Sequence, residues 1–173
     1  MLINLQNTDF IMRFNKLVPE LSVTDLAKSL DFYVRALHFK VEYSRPESRF
    51  AYLSLQGSQI MLDEGDDDKS SPWYTGKRHY PFGRGIHLQL EVKDIKPLLK
   101  ALKKNHYTLK SGPRDYWFRQ GSRLIGMKGF LVMDPDGYLL MFNKDIGTRK
   151  IKSKHKATAA RDTNPPMRTL LGR

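Results

Sequence analysis

The 173-residue sequence predicts an α+β fold built from two copies of one β-α-β-β-β module. Three observations lead there. The stretch Gly85-Ile86-His87-Leu88-Gln89-Leu90-Glu91-Val92-Lys93-Asp94-Ile95 alternates apolar and polar residues, as a strand with one buried face does, and then enters a helix near Asp94. An earlier stretch, Leu17-Val18-Pro19-Glu20-Leu21-Ser22-Val23-Thr24-Asp25-Leu26, repeats it in type and spacing. A shift of 69 residues lays Val23-x-Asp25-Leu26 on Val92-x-Asp94-Ile95, Leu30 on Leu99 and Val18 on His87. Each copy is then followed by short strand-like runs separated by turn residues.

In the first module a strand is expected over residues 17–23 and a helix over 25–37. Thr24 or Asp25 can accept the orphan N–H groups of the first turn, and Leu26, Leu30, Tyr33 and Leu37 fall on one face. Residues 38–43 alternate as a second strand. Two more are expected over 50–55 and 59–63, joined by the short turn Gln56-Gly57-Ser58. Residues 64–84 hold a charge run, Gly65-Asp66-Asp67-Asp68, the pair Trp73-Tyr74, and His79-Tyr80-Pro81-Phe82-Gly83. Such a segment reads as a linker or functional loop. In the second module the strand at 85–92 leads to a helix over 95–104, with Ile95, Leu98, Leu99 and Leu102 together and Pro97 confined to the first turn. A strand near 107–109, the aromatic run Tyr116-Trp117-Phe118-Arg119 and a strand at 129–133 follow. Asp134-Pro135-Asp136-Gly137 makes a strong turn before a last strand at 138–142.

Composition bounds the function. With 40% hydrophobic residues the chain can bury one ordinary core or two small modules sharing a sheet. It contains no cysteine, which removes thiol nucleophiles and zinc-thiolate sites and points to the cytoplasm. No stretch reaches the roughly 18 apolar residues of a membrane helix. The net charge of +12 is concentrated at the C-terminus, because residues 147–173 contain eight Lys or Arg against one Asp. The remainder carries +5. That tail is too poor in apolar residues to pack and reads as a disordered, solvated extension. A polyanion contact, such as nucleic acid, is the second reading of the same residues.

Val23-x-Asp25-Leu26-x-x-Ser29-Leu30-x-Phe32-Tyr33 with Leu37-His38-Phe39, together with Phe130-Leu131-Val132-Met133-Asp134-Pro135-Asp136-Gly137-Tyr138, resembles the vicinal oxygen chelate superfamily. Glyoxalase I, extradiol dioxygenases, fosfomycin-resistance transferases and bleomycin-resistance proteins belong to it. The resemblance covers residues 17–143, and Gly83-Arg84-Gly85-Ile86 with Trp117-Phe118-Arg119 is most similar to the bleomycin-resistance type. It implies a curved mixed sheet around a cavity and a homodimer with exchanged modules, the ligand lying at the interface. On this reading residues 1–16 are an N-terminal extension and 17–146 the domain. Its modules are 17–63 and 85–143, linked by 64–84, and 147–173 is the basic tail.

Enzymes of the superfamily hold a divalent ion on the first and last strand of each module. Those positions are carried onto Val18, Asp63, His87 and Met141. Valine and a thioether do not hold a hard or borderline cation, so the expectation is no metal and no catalysis. The alternative is a metal-dependent lyase, dioxygenase or thiol transferase in which Glu20 joins Asp63 and His87, since Glu20 is two residues from Val18 and on the same strand face. Without a metal these activities lose their Lewis acid, and no serine elbow replaces it. A binding protein instead needs flat apolar walls and a few placed polar groups. Trp73, Trp117 and Phe118 are the expected walls, with Glu20, Asp63, His87 and Arg119 as polar groups. The acidic residues Asp63, Glu64, Asp66, Asp67 and Asp68 would suit a cationic ligand, while the positive net charge opposes its long-range capture.

Overall fold

The computed structural model describes residues 12–65 and 68–151. Most of the basic tail, Asp66 and Asp67 therefore lie outside the described residues.

Eight strands form two four-stranded sheets, one per module. The first contains β1 (Glu20–Ser22), β2 (Lys40–Arg45), β3 (Phe50–Leu55) and β4 (Ser58–Asp63) in the order β1-β4-β3-β2. The second contains β5 (His87–Glu91), β6 (Leu109–Gln120), β7 (Arg123–Met133) and β8 (Leu139–Lys150) in the order β5-β8-β7-β6. In each sheet the first strand runs parallel to the last, and the other neighbours are antiparallel. The predicted repeat is thus a repeat of topology, and the fold class is the α+β expected. Among the described residues no helix is long and apolar enough to cross a membrane.

Helix α1 (Leu26–Leu30) begins where Asp25 accepts the Lys28 N–H at 2.9 Å. It then widens into a π-helical turn, Asp31–Ala36, with Leu37 N–H bonded to Phe32 O at 3.1 Å. The wider turn brings two adjacent pairs inward, Phe32 with Tyr33 and Ala36 with Leu37, all fully buried. The expected single helix is thus divided into an α-helical and a π-helical part. Helix α2 (Lys96–Lys104) carries Pro97 in its first turn and buries Leu98 and Leu102. Both helices cover one face of the sheets, where Leu21, Leu53, Leu62, Leu90, Phe130 and Phe142 join a single core.

The turns follow local chemistry. Leu55 faces Ser58, leaving Gln56-Gly57 as a two-residue hairpin with φ of 48° and 94°, the positive pair that matches strand twist. The Asp134–Gly137 turn presses Gly137, at φ 88°, against Pro81 of the linker. A Gly137→Ala protein is expected to lose about 2 kcal/mol, from the positive φ and the displaced proline together. Thermal unfolding should show this as a fall of about 5 °C in Tm. Gly57→Ala, at a similar φ with open space around it, is the control and should cost less.

Three expected boundaries move. Strands β6 and β7 are far longer than the runs at 107–109 and 129–133, because Gln120 faces Arg123 across a two-residue turn that lets the hairpin continue. That hairpin supplies partners for residues 143–150, with Arg123 opposite Lys150 and Ile125 opposite Thr148. Residues 147–150 are accordingly strand, not the start of the basic tail.

Candidate functional site

The sheet faces turned away from the helices carry the candidate site. On the first sheet Glu20, Met61, Tyr52 and Tyr43 form one cross-strand row, and Ser22, Asp63, Phe50 and Arg45 form the next. Tyr43 stacks on Tyr52 at 5.3 Å between centroids, and Arg45 lies 4.1 Å from the Phe50 ring centre. Phe14 meets Tyr52 edge-on at 5.2 Å, while Asn15 bonds Gly57 O and Gln59. The segment before β1 is thereby tied down over this face. Partial burial and the neighbouring Asp63 carboxylate raise the Glu20 pKa, and Arg45 offsets part of that rise.

On the second sheet the matching face presents Gln89, Met141 and Leu131 in one row, and Glu91, Asn143, Gly129 and Arg114 in another. Tyr116 stands opposite Met127, and Gln89 reaches the Met127 sulfur at 3.6 Å. Tyr116 and Phe118 stack in parallel 6.3 Å apart, with the Arg114 guanidinium 5.0 Å from the Tyr116 ring centre. Two buried polar atoms on this face have no hydrogen-bond partner among the described residues, the Tyr116 hydroxyl and Asn143 Oδ1. Tyr116 is 6% exposed and Asn143 3%. Buried polar atoms are paired nine times in ten or more, so these two are open to a bond from water, a ligand or a partner.

The sequence-predicted residues divide. Glu20 and Asp63 come close on the first sheet. His87 is exposed and lines a cleft of about 330 Å³ with Leu17, Pro19 and Gln89. Phe118 shares the open face with Tyr116, whereas Trp117 and Arg119, alternating with it along β6, project from the opposite face. Trp117 there lies under Arg149. Trp73 is 87% exposed and provides no wall. Glu64, counted as diffuse negative potential, instead accepts the Leu26 N–H at 2.7 Å and pairs with Arg49 at 3.3 Å. Tyr43 and Tyr52 also line the open face of the first sheet and are not among the expected walls. Their signal lay in cross-strand register, which a single strand's alternation does not carry.

Register also corrects the metal positions. Val23 N–H bonds Asp63 O, and Val92 N–H bonds Asn143 O. Asp63 is therefore the counterpart of Asn143, and the counterpart of Met141 is Met61. Val18, Met61 and Met141 offer no oxygen or nitrogen ligand. Among the described residues no three His, Asp or Glu side chains converge, so Glu20, Asp63 and His87 are not assembled as a set. The residues present do not fit the divalent ion of the superfamily's enzymes.

The sequence profile of the Glyoxalase/Bleomycin resistance protein/Dioxygenase superfamily matches residues 13–142. The chain belongs to this superfamily. Bleomycin resistance proteins of Geobacillus stearothermophilus and Staphylococcus aureus are each 28% identical to it over 136 residues, covering 75% of this chain and 96% of theirs. An integron cassette protein from the mobile metagenome of V. cholerae shares the fold, with a TM-score of 0.56 at 22% identity over 78% of this chain and 98% of that one. TioX from Micromonospora sp. ML1 does so with a TM-score of 0.53 at 20% identity, over 76% and 98%.

Proposed function

We propose that this protein binds and sequesters a small organic molecule of the antibiotic type, bleomycin-like in having flat rings and cationic groups, without transforming it. The observation that carries the reading is the pair of orphaned buried atoms, Tyr116 hydroxyl and Asn143 Oδ1, beside stacked aromatic rings. A ligand N–H can donate to Asn143 Oδ1 and a ligand polar group can pair with the tyrosine hydroxyl, while Tyr116 and Phe118 offer planes for a ring. Stacking adds about 0.5–1.5 kcal/mol per pair beyond burial. On the first sheet Glu20 and Asp63 supply the local negative charge that a cationic ligand needs, in a protein whose overall charge repels it. In a homodimer the two kinds of open face would meet and enclose the ligand. Sequestration rather than catalysis is favoured by the misfit between the superfamily's metal positions and the side chains that fill them.

Calorimetric titration of the full chain with metal-free bleomycin at moderate salt tests this. Expected is saturable heat with Kd below about 1 μM, about 8 kcal/mol, and ligand recovered unchanged by mass spectrometry. Tyr116→Phe and Asn143→Leu should each weaken binding about tenfold, near 1.4 kcal/mol. Absence of binding, or a chemically altered ligand, contradicts the proposal. Tryptophan fluorescence is a poor readout, since Trp73 is exposed and Trp117 lies on the other face.

A further inference from the structure

The long hairpin of β6 and β7 with β8 carries a second, independent surface on the face opposite Tyr116 and Phe118. Arg119 stands across from Leu124, and Leu124 across from Arg149, so the two guanidinium-bearing residues flank one apolar residue in a single row. With strands about 4.8 Å apart, their backbones are roughly 10 Å from each other. Trp117, on the same face, sits so close to Gly126 that an added Cβ there would come within 2.6 Å of its ring. The Arg149 guanidinium lies 4.0 Å from its ring centre. Arg119 is held by its Nε–H bond to Gly121 O at 3.1 Å. Both charges are thus positioned by the ribbon rather than left on free stems. Arg123 faces Lys150 at the tip. Asp115, two residues before Trp117 on this face, is paired with Lys128 at 3.2 Å, and residues 116–128 and 146–151 add no acid. Beyond them, residues 152–173 add six further Lys or Arg against one Asp.

We infer that this face docks duplex nucleic acid through its phosphates, without reading sequence. Charge complementarity argues for the partner, because a duplex carries one negative charge per about 1.7 Å. The indole argues for a duplex over a single strand, since unstacked bases need an open aromatic plane and the Arg149 guanidinium lies over this one. The ligand face is untouched by this contact, so binding there and binding here fail separately.

The test is fluorescence anisotropy of the full chain with a labelled 20-base-pair duplex of arbitrary sequence, over a salt series from 50 to 200 mM. Expected is salt-sensitive binding, weakened about tenfold at low salt by Arg119→Ala with Arg149→Ala, the slope of log K against log salt falling by about 2. Arg119→Lys with Arg149→Lys should retain most of the slope, which separates charge from folding. The inference is overturned if the duplex does not bind, if the alanine pair binds as the parent does, if a single strand of equal length binds tighter, or if anionic vesicles bind in its place.

Discussion

Replacing Asp136 by alanine is expected to destabilise the protein by about 2–4 kcal/mol, a large share of the 5–15 kcal/mol that holds most domains folded. Asp136 is 2% exposed and belongs to the turn before β8, yet its partners belong to the other module. Its Oδ1 accepts from the Thr24 backbone N–H at 3.1 Å and from the Thr24 hydroxyl at 2.6 Å, and its Oδ2 from the Ser29 hydroxyl at 3.3 Å. Alanine strands the buried Ser29 hydroxyl, which costs about 1–3 kcal/mol, and takes the acceptor from the part-buried Thr24 N–H and hydroxyl, which water reaches in part. The loss of repulsion toward Asp134 returns part of that. A shift of 69 residues carries Thr24 onto Lys93, and one of 80 carries Gln56 onto Asp136. In the other module Gln56 Oε1 indeed accepts the Lys93 N–H at 2.8 Å. Each module's hairpin turn therefore caps the strand-to-helix junction of its twin. The Gln56 contact is exposed, so Gln56→Ala should cost less than about 1 kcal/mol. Urea denaturation should lower the midpoint of Asp136→Ala by about 2 M and leave Gln56→Ala nearly in place. Equal shifts for the two would refute the reading of Asp136 as the dominant latch.

What was legible in the sequence depended on the range of the interaction. The module repeat, the hairpin at Gln56-Gly57 and the turn at Asp134–Gly137 rest on alternation and on glycine and proline dihedrals, which are local, and they stand where expected. The length of β6, β7 and β8 was not legible, because Gly112-Pro113 and the glycines at 126 and 129 interrupt the pattern while the partner strands hold the ladder together. The π-helical turn left no mark in the periodicity, since Phe32, Tyr33, Ala36 and Leu37 share a face in an α-helix as well. For the candidate site, Glu20, Asp63 and Phe118 each lie on a strand whose place can be read from one segment at a time. Tyr116 was noticed as an aromatic residue, but its orphaned hydroxyl and its companion Asn143 require the whole sheet. Trp73 was chosen for a polar, loop-like setting, which identifies an exposed residue as readily as a binding one.

The second large effect is a pH dependence centred on Asp134. Burial pushes its pKa from 3.8 up to about 6, with Asp136 adding to the rise and the Tyr138 N–H, Asp136 N–H and Tyr33 hydroxyl opposing it. The group is held by those three bonds, at 2.7, 3.0 and 2.9 Å, and is 3% exposed. Burial and the Asp134 charge push the Tyr33 hydroxyl far above its ordinary range, so Tyr33 stays a donor. The sign follows from which state holds the proton. Between pH 3.8 and about 6 the unfolded chain gives up the Asp134 proton while the folded chain keeps it, so stability falls as pH rises. The stabilisation is complete below 3.8 and lost above about 6, an effect of about 3 kcal/mol. Asp134→Asn removes the titration. Its amide oxygen can still accept the two backbone N–H groups while its NH₂ turns to the Tyr33 oxygen, imitating the protonated acid. Urea midpoints measured from pH 4 to 8 should start close together and diverge, with the asparagine protein the more stable at pH 8. Parallel curves, or an asparagine protein that grows relatively weaker with pH, would mean that the three donors outweigh burial and that Asp134 is ionised in the folded protein throughout.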